Sequence, residues 1–149
     1  MSLADYDFSP IKQTASMVFR AQKNEGLLYY VRGYYEKVGN DGDERRPDEL
    51  RVFISGYGAI TAAYFNRTAT FSVTVETNKT FCDGDQHMFK LKKDGKQIRL
   101  TVDGVHGSSP VGDERRKQHR RTSLYFGGLS GGWPHISFAL LFDRSILYM

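Results

Sequence analysis

No window of ten or more residues in this chain keeps the i, i+3, i+4, i+7 apolar stripe that lets a helix bury one face. What recurs instead is alternation. Phe71, Val73 and Val75 are separated by Ser72 and Thr74, and Ile98, Leu100 and Val102 by Arg99 and Thr101. A period of two sends one set of side chains into a core and the other into water, as in a strand covering a sandwich. Gly26 to Val31, Leu50 to Ile54 and Ser123 to Phe126 are short, rich in β-branched and aromatic residues, and bounded by turn formers. Between Met88–Leu91 and Ile98–Val102, Asp94-Gly95 predicts a tight hairpin with positive φ angles, and further turns are expected at Asp83-Gly84, Asp103-Gly104 and Gly127-Gly128. The pattern predicts an all-β sandwich built of hairpins. Residues 1–149 form one domain in this reading, long enough for a core that needs no metal or disulfide staple.

Two polar stretches interrupt the strands, Gly33 to Asp48 and Gly104 to Arg121, and loops of that length in a compact domain tend to be functional or disordered. Gly-Asp-Glu-Arg-Arg occurs in both, but five shared residues do not make a structural repeat. The net charge is +4, and its source is local. Arg115, Arg116, Lys117, Arg120 and Arg121 fall in one seven-residue window without an acid, leaving the rest of the chain close to neutral. Lys90, Lys92, Lys93, Lys96 and Arg99 form a more diffuse set, read as solvent-facing lysines that protect a strand edge.

Other chemistries find little support. The longest apolar stretch, Ile136 to Phe142, is far short of the roughly 20 residues of a membrane span, so no membrane insertion is expected. Gly128-Leu-Ser-Gly-Gly132 matches G-x-S-x-G, yet Trp133-Pro134 follows at once and no histidine lies beyond Asp143 to complete a triad. His87, His106, His119 and His135 are too dispersed for a metal cluster, and no cofactor motif occurs. Nucleic-acid binding wants aromatics among the cations, and the basic window has none. Nothing in the sequence singles out the paired carboxylates a glycosidase would need. Trp133, Tyr29, Tyr30, Tyr34 and Tyr35 could stack on sugars, although Tyr29 and Tyr30 point to opposite faces and one of them belongs in the core. The opening residues lack a secretory signal, whereas Asn66-Arg-Thr68 and Asn78-Lys-Thr80 match the glycosylation acceptor pattern of secreted chains. Cys82 is the only cysteine, so no internal disulfide can form.

Several segments resemble laminin G-like domains. Val18-Phe-Arg20 followed by Gly26-Leu-Leu-Tyr-Tyr is similar to that family's opening. Cys82-Asp-Gly-Asp-Gln-His87, a basic strand, Gly95-Lys96 and Leu100-Thr-Val-Asp-Gly104 resemble its middle, and Leu124-Tyr-Phe-Gly-Gly128 its later strand. The Cys-Asp-Gly form points to laminin α-chain domains. Two positions depart from the pattern. Gln86 stands where the family usually has tryptophan, and the segment that supplies the partner cysteine reads Ser137 to Phe142. The resemblance implies a jelly-roll-like sandwich of two antiparallel sheets, a structural role for His87, and an extracellular binding module of the matrix or cell surface that is not an enzyme. The partners it implies are acidic glycans such as heparan sulfate, or dystroglycan- or integrin-like receptors.

Many of these relatives hold calcium at one rim, and the two ligand positions correspond here to Arg32 and to the segment His119 to Arg121. Calcium wants six to eight oxygens and arginine offers only donors, so no metal is expected; Asp41, Asp43, Asp48 and Asp113 are nearby acids read as solvated. The layout implied by the resemblance instead gathers Arg32, Arg45, Arg46, Arg115, Arg116, Lys117, His119, Arg120 and Arg121 on one rim that could hold an anionic glycan. The alternatives are arginines paired with Asp113 and Glu114 in a solvated loop, and a protein-interaction domain that binds no glycan.

Overall fold

The computed structural model describes residues 12–35, 48–66, 69–112, 119–126, 137–142 and 145–148. Among them are eleven strands and no helix: β1 Gln13–Arg20, β2 Gly26–Tyr35, β3 Asp48–Gly56, β4 Ala59–Phe65, β5 Thr70–Glu76, β6 His87–Lys93, β7 Gln97–Val102, β8 Val105–Pro110, β9 His119–Phe126, β10 Ser137–Phe142 and β11 Ser145–Tyr148. They form a six-stranded sheet in the order β11-β10-β1-β6-β7-β8 and a five-stranded sheet in the order β5-β4-β3-β2-β9. Every pairing is antiparallel. The two layers follow from the alternation. In β3, Leu50, Val52 and Ile54 are buried while Glu49, Arg51 and Phe53 turn outward, and in β1 Ala15, Met17 and Phe19 are buried against them. The centre of the core is aromatic, with Phe19 5.8 Å from Phe81 and 6.4 Å from Phe89, and Tyr29 set edge-on to Phe89.

Two local readings change. The stretch from Gly104 to Arg121 is not one loop, because it contains β8 and the start of β9. β8 escapes a periodicity search since it is an edge strand with one face in water, and it packs through Gly107, where an added Cβ would lie 2.9 Å from Val75 and 3.0 Å from Val73. The β6–β7 hairpin forms where expected, but Gly95 does not adopt positive φ. The Asp94 carboxylate holds that turn by accepting the Lys96 and Gln97 N–H groups at 2.8 and 2.9 Å. Positive φ occurs instead at Asp103 (47°) and Gly104 (84°), the two-residue turn between β7 and β8.

The basic set also divides. Lys90 and Lys92 are exposed, but β6 lies between β1 and β7, so they guard no edge. Lys93 is buried, with its ammonium 3.7 Å from the centre of the Tyr64 ring. Because all strands run antiparallel, their connections sort to two ends. At one end β2 stops, β3, β5, β7 and β9 begin, and the Asp94–Lys96 turn lies; at the other are the turns at Gly58 and Asp103 and the segment before His87.

Candidate functional site

The first of these ends is where the sequence directs attention. Gly33 is opposite Asp48, and Tyr35 is opposite His119. Residues 36–47 and 113–118, which hold Arg45, Arg46, Arg115, Arg116 and Lys117, lie outside the described residues, but the strands that deliver both segments are hydrogen-bonded neighbours at the same end. Arg32 of β2 sits opposite Glu49 on one side and Ser123 on the other; Arg121 is opposite Tyr34, diagonal to Arg32. Diagonal positions of an antiparallel pair are about 7–8 Å apart. Arg120 falls at the irregularity between the Tyr34 and Tyr35 pairings, and His119 opens the strand.

Arg32 is not a solitary cation. It belongs to a cluster on the outer face of the five-stranded sheet, built from the alternating pairs Tyr30, Arg32 and Glu49, Arg51. Its Nε donates to the Tyr30 hydroxyl at 2.8 Å, and its guanidinium is 3.2 Å from Glu49 Oε1. Tyr30 donates to Glu49 at 2.6 Å, and Arg51 binds the other Glu49 oxygen. Both guanidinium carbons lie over the Tyr30 ring, at 5.3 and 5.5 Å. That cover buries a tyrosine on the water-facing side of a sheet, so Tyr29 and Tyr30 are both buried despite pointing opposite ways. Burial and the bond to Glu49 push the Tyr30 hydroxyl up to about 12. Burial alone would raise the Glu49 carboxyl, but hydrogen bonds from Tyr30 and Arg51 and the charges of Arg51 and Arg32 outweigh it and hold the group below the usual value. Two arginines against one carboxylate leave the cluster cationic. A cleft of about 380 Å³ continues from it along the sheet, floored by Leu27 and Phe53.

The first of the calcium positions implied by the resemblance, Arg32, does not fit the metal, and the side chains of the second, His119 to Arg121, lie outside the described residues. Arg32 presents donors, and the carboxylate opposite it, Glu49, is engaged by Tyr30, Arg32 and Arg51. Asp48, the one candidate acid among the described residues, is buried opposite Gly33; Asp41, Asp43 and Asp113 lie outside them. Asn78 is exposed, while Asn66 is half-buried and accepts the Ala69 N–H at 2.8 Å. The side chains of Tyr34 and Tyr35, together with Trp133 and the Gly128–Gly132 segment, lie outside the described residues. Sequence reasoning found Arg32 but missed Tyr30, Glu49 and Arg51 as its setting. The available signal was complementary charge at matching period-two positions, Arg32 against Glu49-x-Arg51.

The opposite end is anchored by His87. Buried beneath Phe81, its ring lies 2.6 Å from Asp103 through Nδ1 and 2.8 Å from Asp83 through Nε2. Burial by itself would lower the imidazole pKa; the bonds and charges of Asp103 and Asp83 overcome it and raise the pKa above 6.5. The His87 bond in turn lowers Asp83. A raised histidine stabilises the fold fully below its unfolded value and loses that contribution as pH rises through the folded value. The urea midpoint is therefore expected to fall as pH rises past the ordinary histidine value and through the higher folded one, and His87→Gln to flatten that segment of the profile. A wild-type midpoint constant over this range would show that the ring titrates alike in the folded and unfolded chain, and a rising one that it is neutral in the fold.

A family model described as Laminin G domain matches residues 19–142. No curated protein sequence matches. Among solved structures, the chain is similar to domains LG4-5 of the mouse laminin alpha1 chain, with a TM-score of 0.55 and 18% identity over 93% of this chain and 37% of that one. It is also similar to the LG1-3 region of the laminin alpha2 chain, with a TM-score of 0.62 and 11% identity over 96% of this chain and 30% of that one. At these identities the likeness establishes the sandwich fold, and the chain spans about a third of the length of either structure.

Proposed function

The chain belongs to the laminin G domain family, and from that premise we propose that it is an extracellular binding module that takes acidic glycans on a cationic rim. Laminin G domains are in general extracellular binding modules without enzymatic activity. The rim of this reading comprises Arg32, Arg45, Arg46, Arg115, Arg116, Lys117, His119, Arg120 and Arg121, with Asn66 and Asn78 as glycan acceptors of the secreted chain. The observation that carries it is the β2–β9 register, which sets Arg32 and Arg121 on diagonal positions and pairs Tyr35, the last residue before segment 36–47, with His119, the first after segment 113–118. A planar guanidinium fork suits sulfate and carboxylate, and several cations engaged together gain affinity from released counterions.

The test is heparin affinity with and without reversal of Arg115, Arg116, Arg120 and Arg121 to glutamate. Reversal is expected to weaken binding at least tenfold near 0.15 M salt and to reduce its salt dependence. Retention that ignores the four changes would remove the rim from the reading. A second reading, a protein receptor as partner, is favoured by the cleft beside Tyr30, whose Leu27 and Phe53 floor is apolar. It predicts binding that survives high salt and is lost when Phe53 becomes aspartate.

A further inference from the structure

The outer face of the six-stranded sheet carries cations with no acid among them. Lys90 and Lys92 of β6 and Arg99 of β7 are exposed, and Lys92 is directly opposite Arg99. Read across the strands, one row is Ser16, Lys90, Thr101, His106 and the next is Thr14, Lys92, Arg99, Ser108. Arg20 is exposed further along the same face of β1. No aspartate or glutamate occurs in β1, β6, β7 or β8. Among the described residues, none of these four cations is ion-paired. The nearest acid is Asp94 in the adjoining turn, whose carboxylate accepts the Lys96 and Gln97 N–H groups and also feels the charges of Arg99 and Lys92 without an ion-pair contact.

Like charges directly opposite one another destabilise a sheet. Cations on an edge strand repay that cost by blocking aggregation, but β6 and β7 each have a partner on both sides. Within the chain, the opposition of Lys92 and Arg99 is eased only in part, by the Asp94 charge at the end of the strands and by the Arg99 Nε bond to Gln97 at 3.1 Å. An anion laid over the rows would relieve the repulsion, and the hydroxyls of Thr14, Ser16 and Ser108 flank the cations to meet sugar hydroxyls and sulfate oxygens, while that of Thr101 is bonded to His106 at 2.8 Å. The outward positions of these four strands include no Phe, Tyr or Trp, so unpaired bases have no platform to stack on.

We propose that this face is a second anion-binding surface, which takes a linear sulfated polysaccharide across β1, β6, β7 and β8. It shares the ligand class of the rim reading but none of its residues, so the two stand or fall separately. The experiment compares heparin binding by the full chain, by K90E/K92E/R99E and by the rim variant R115E/R116E/R120E/R121E, with folding checked by thermal unfolding. K90Q/K92Q/R99Q serves as a milder variant at the same positions. The sheet variant is expected to bind at least tenfold more weakly near 0.15 M salt, with the log–log salt slope smaller by roughly 2. Desulfated heparin is expected to lose most affinity for the unaltered chain.

Unchanged affinity in both folded sheet variants, with loss only in the rim variant, overturns this surface and sustains the rim. Loss only in the sheet variants sustains it and overturns the rim. Loss in each sustains both, and loss in neither overturns both. A single-stranded oligonucleotide of equal charge that binds as tightly as heparin, and is lost in the same sheet variants, overturns the polysaccharide as the occupant.

Discussion

Gly58→Ala is expected to destabilise the fold by about 3 kcal/mol, a left-handed backbone cost added to a steric one. Gly58 holds φ +67° in the β3–β4 turn, and a Cβ there would lie 2.5 Å from the carbonyl oxygen of Thr77 and 2.7 Å from that of Lys79. Both obstacles are backbone, so neither can rotate away. The same contact fastens the turn, because the Thr77 N–H donates to the Gly58 carbonyl at 2.7 Å and its hydroxyl does so at 3.0 Å. Relieving the clash means lifting the segment after β5 and losing those bonds. Gly95→Ala supplies the contrast, since a Cβ there would meet no heavy atom within 4 Å beyond its chain neighbours and the residue needs no positive φ; its effect should stay within about 0.5 kcal/mol. Urea unfolding of the two variants measures the difference, and equal midpoints would refute the close approach at Gly58.

Phe19→Ala is the other large effect, about 3–5 kcal/mol from lost burial and the cavity left behind. Phe19 is fully buried and touches Phe81, Phe89 and the His87 ring, whose centres lie 5.1 to 6.4 Å from their nearest aromatic neighbours in this group. It ties the central strand pair β1–β6 to the segment that carries Asp83. Total stabilities of domains this size run to about 5–15 kcal/mol, so the variant should be marginal at 37 °C. Phe19→Leu, which keeps most of the volume, should retain most of the stability. A loss below about 1 kcal/mol for alanine would place the packing centre elsewhere.

The sandwich was legible because strands buried on one side must alternate, and β5 and β7 do so in plain view. β8 was not, since an edge strand packed through Gly107 needs no apolar row. Lys93 was misread for a related reason: period two assigns a face, but it cannot announce that Tyr64 waits on the buried side to receive an ammonium. The same holds at the rim. Arg32 is visible as a cation in an unusual place, whereas its engagement by Tyr30 and Glu49 depends on which strand lies beside β2, and pairing order is a non-local property. The Asp94 turn shows the converse, where a correct hairpin forms by side-chain bonding rather than by the glycine's backbone freedom.

The sorting of connections to two poles has a consequence for how such a chain can change over generations. Gly58, Asp83, His87 and Asp103, whose substitution threatens folding, cluster at one pole, while the arginine-bearing insertions leave from the other. Replacements at sites far apart combine almost independently, so the lengths and charges of those insertions can drift without drawing on the margin that keeps the chain folded. Descendants with new ligands could therefore arise at one pole while the other keeps every copy soluble and intact.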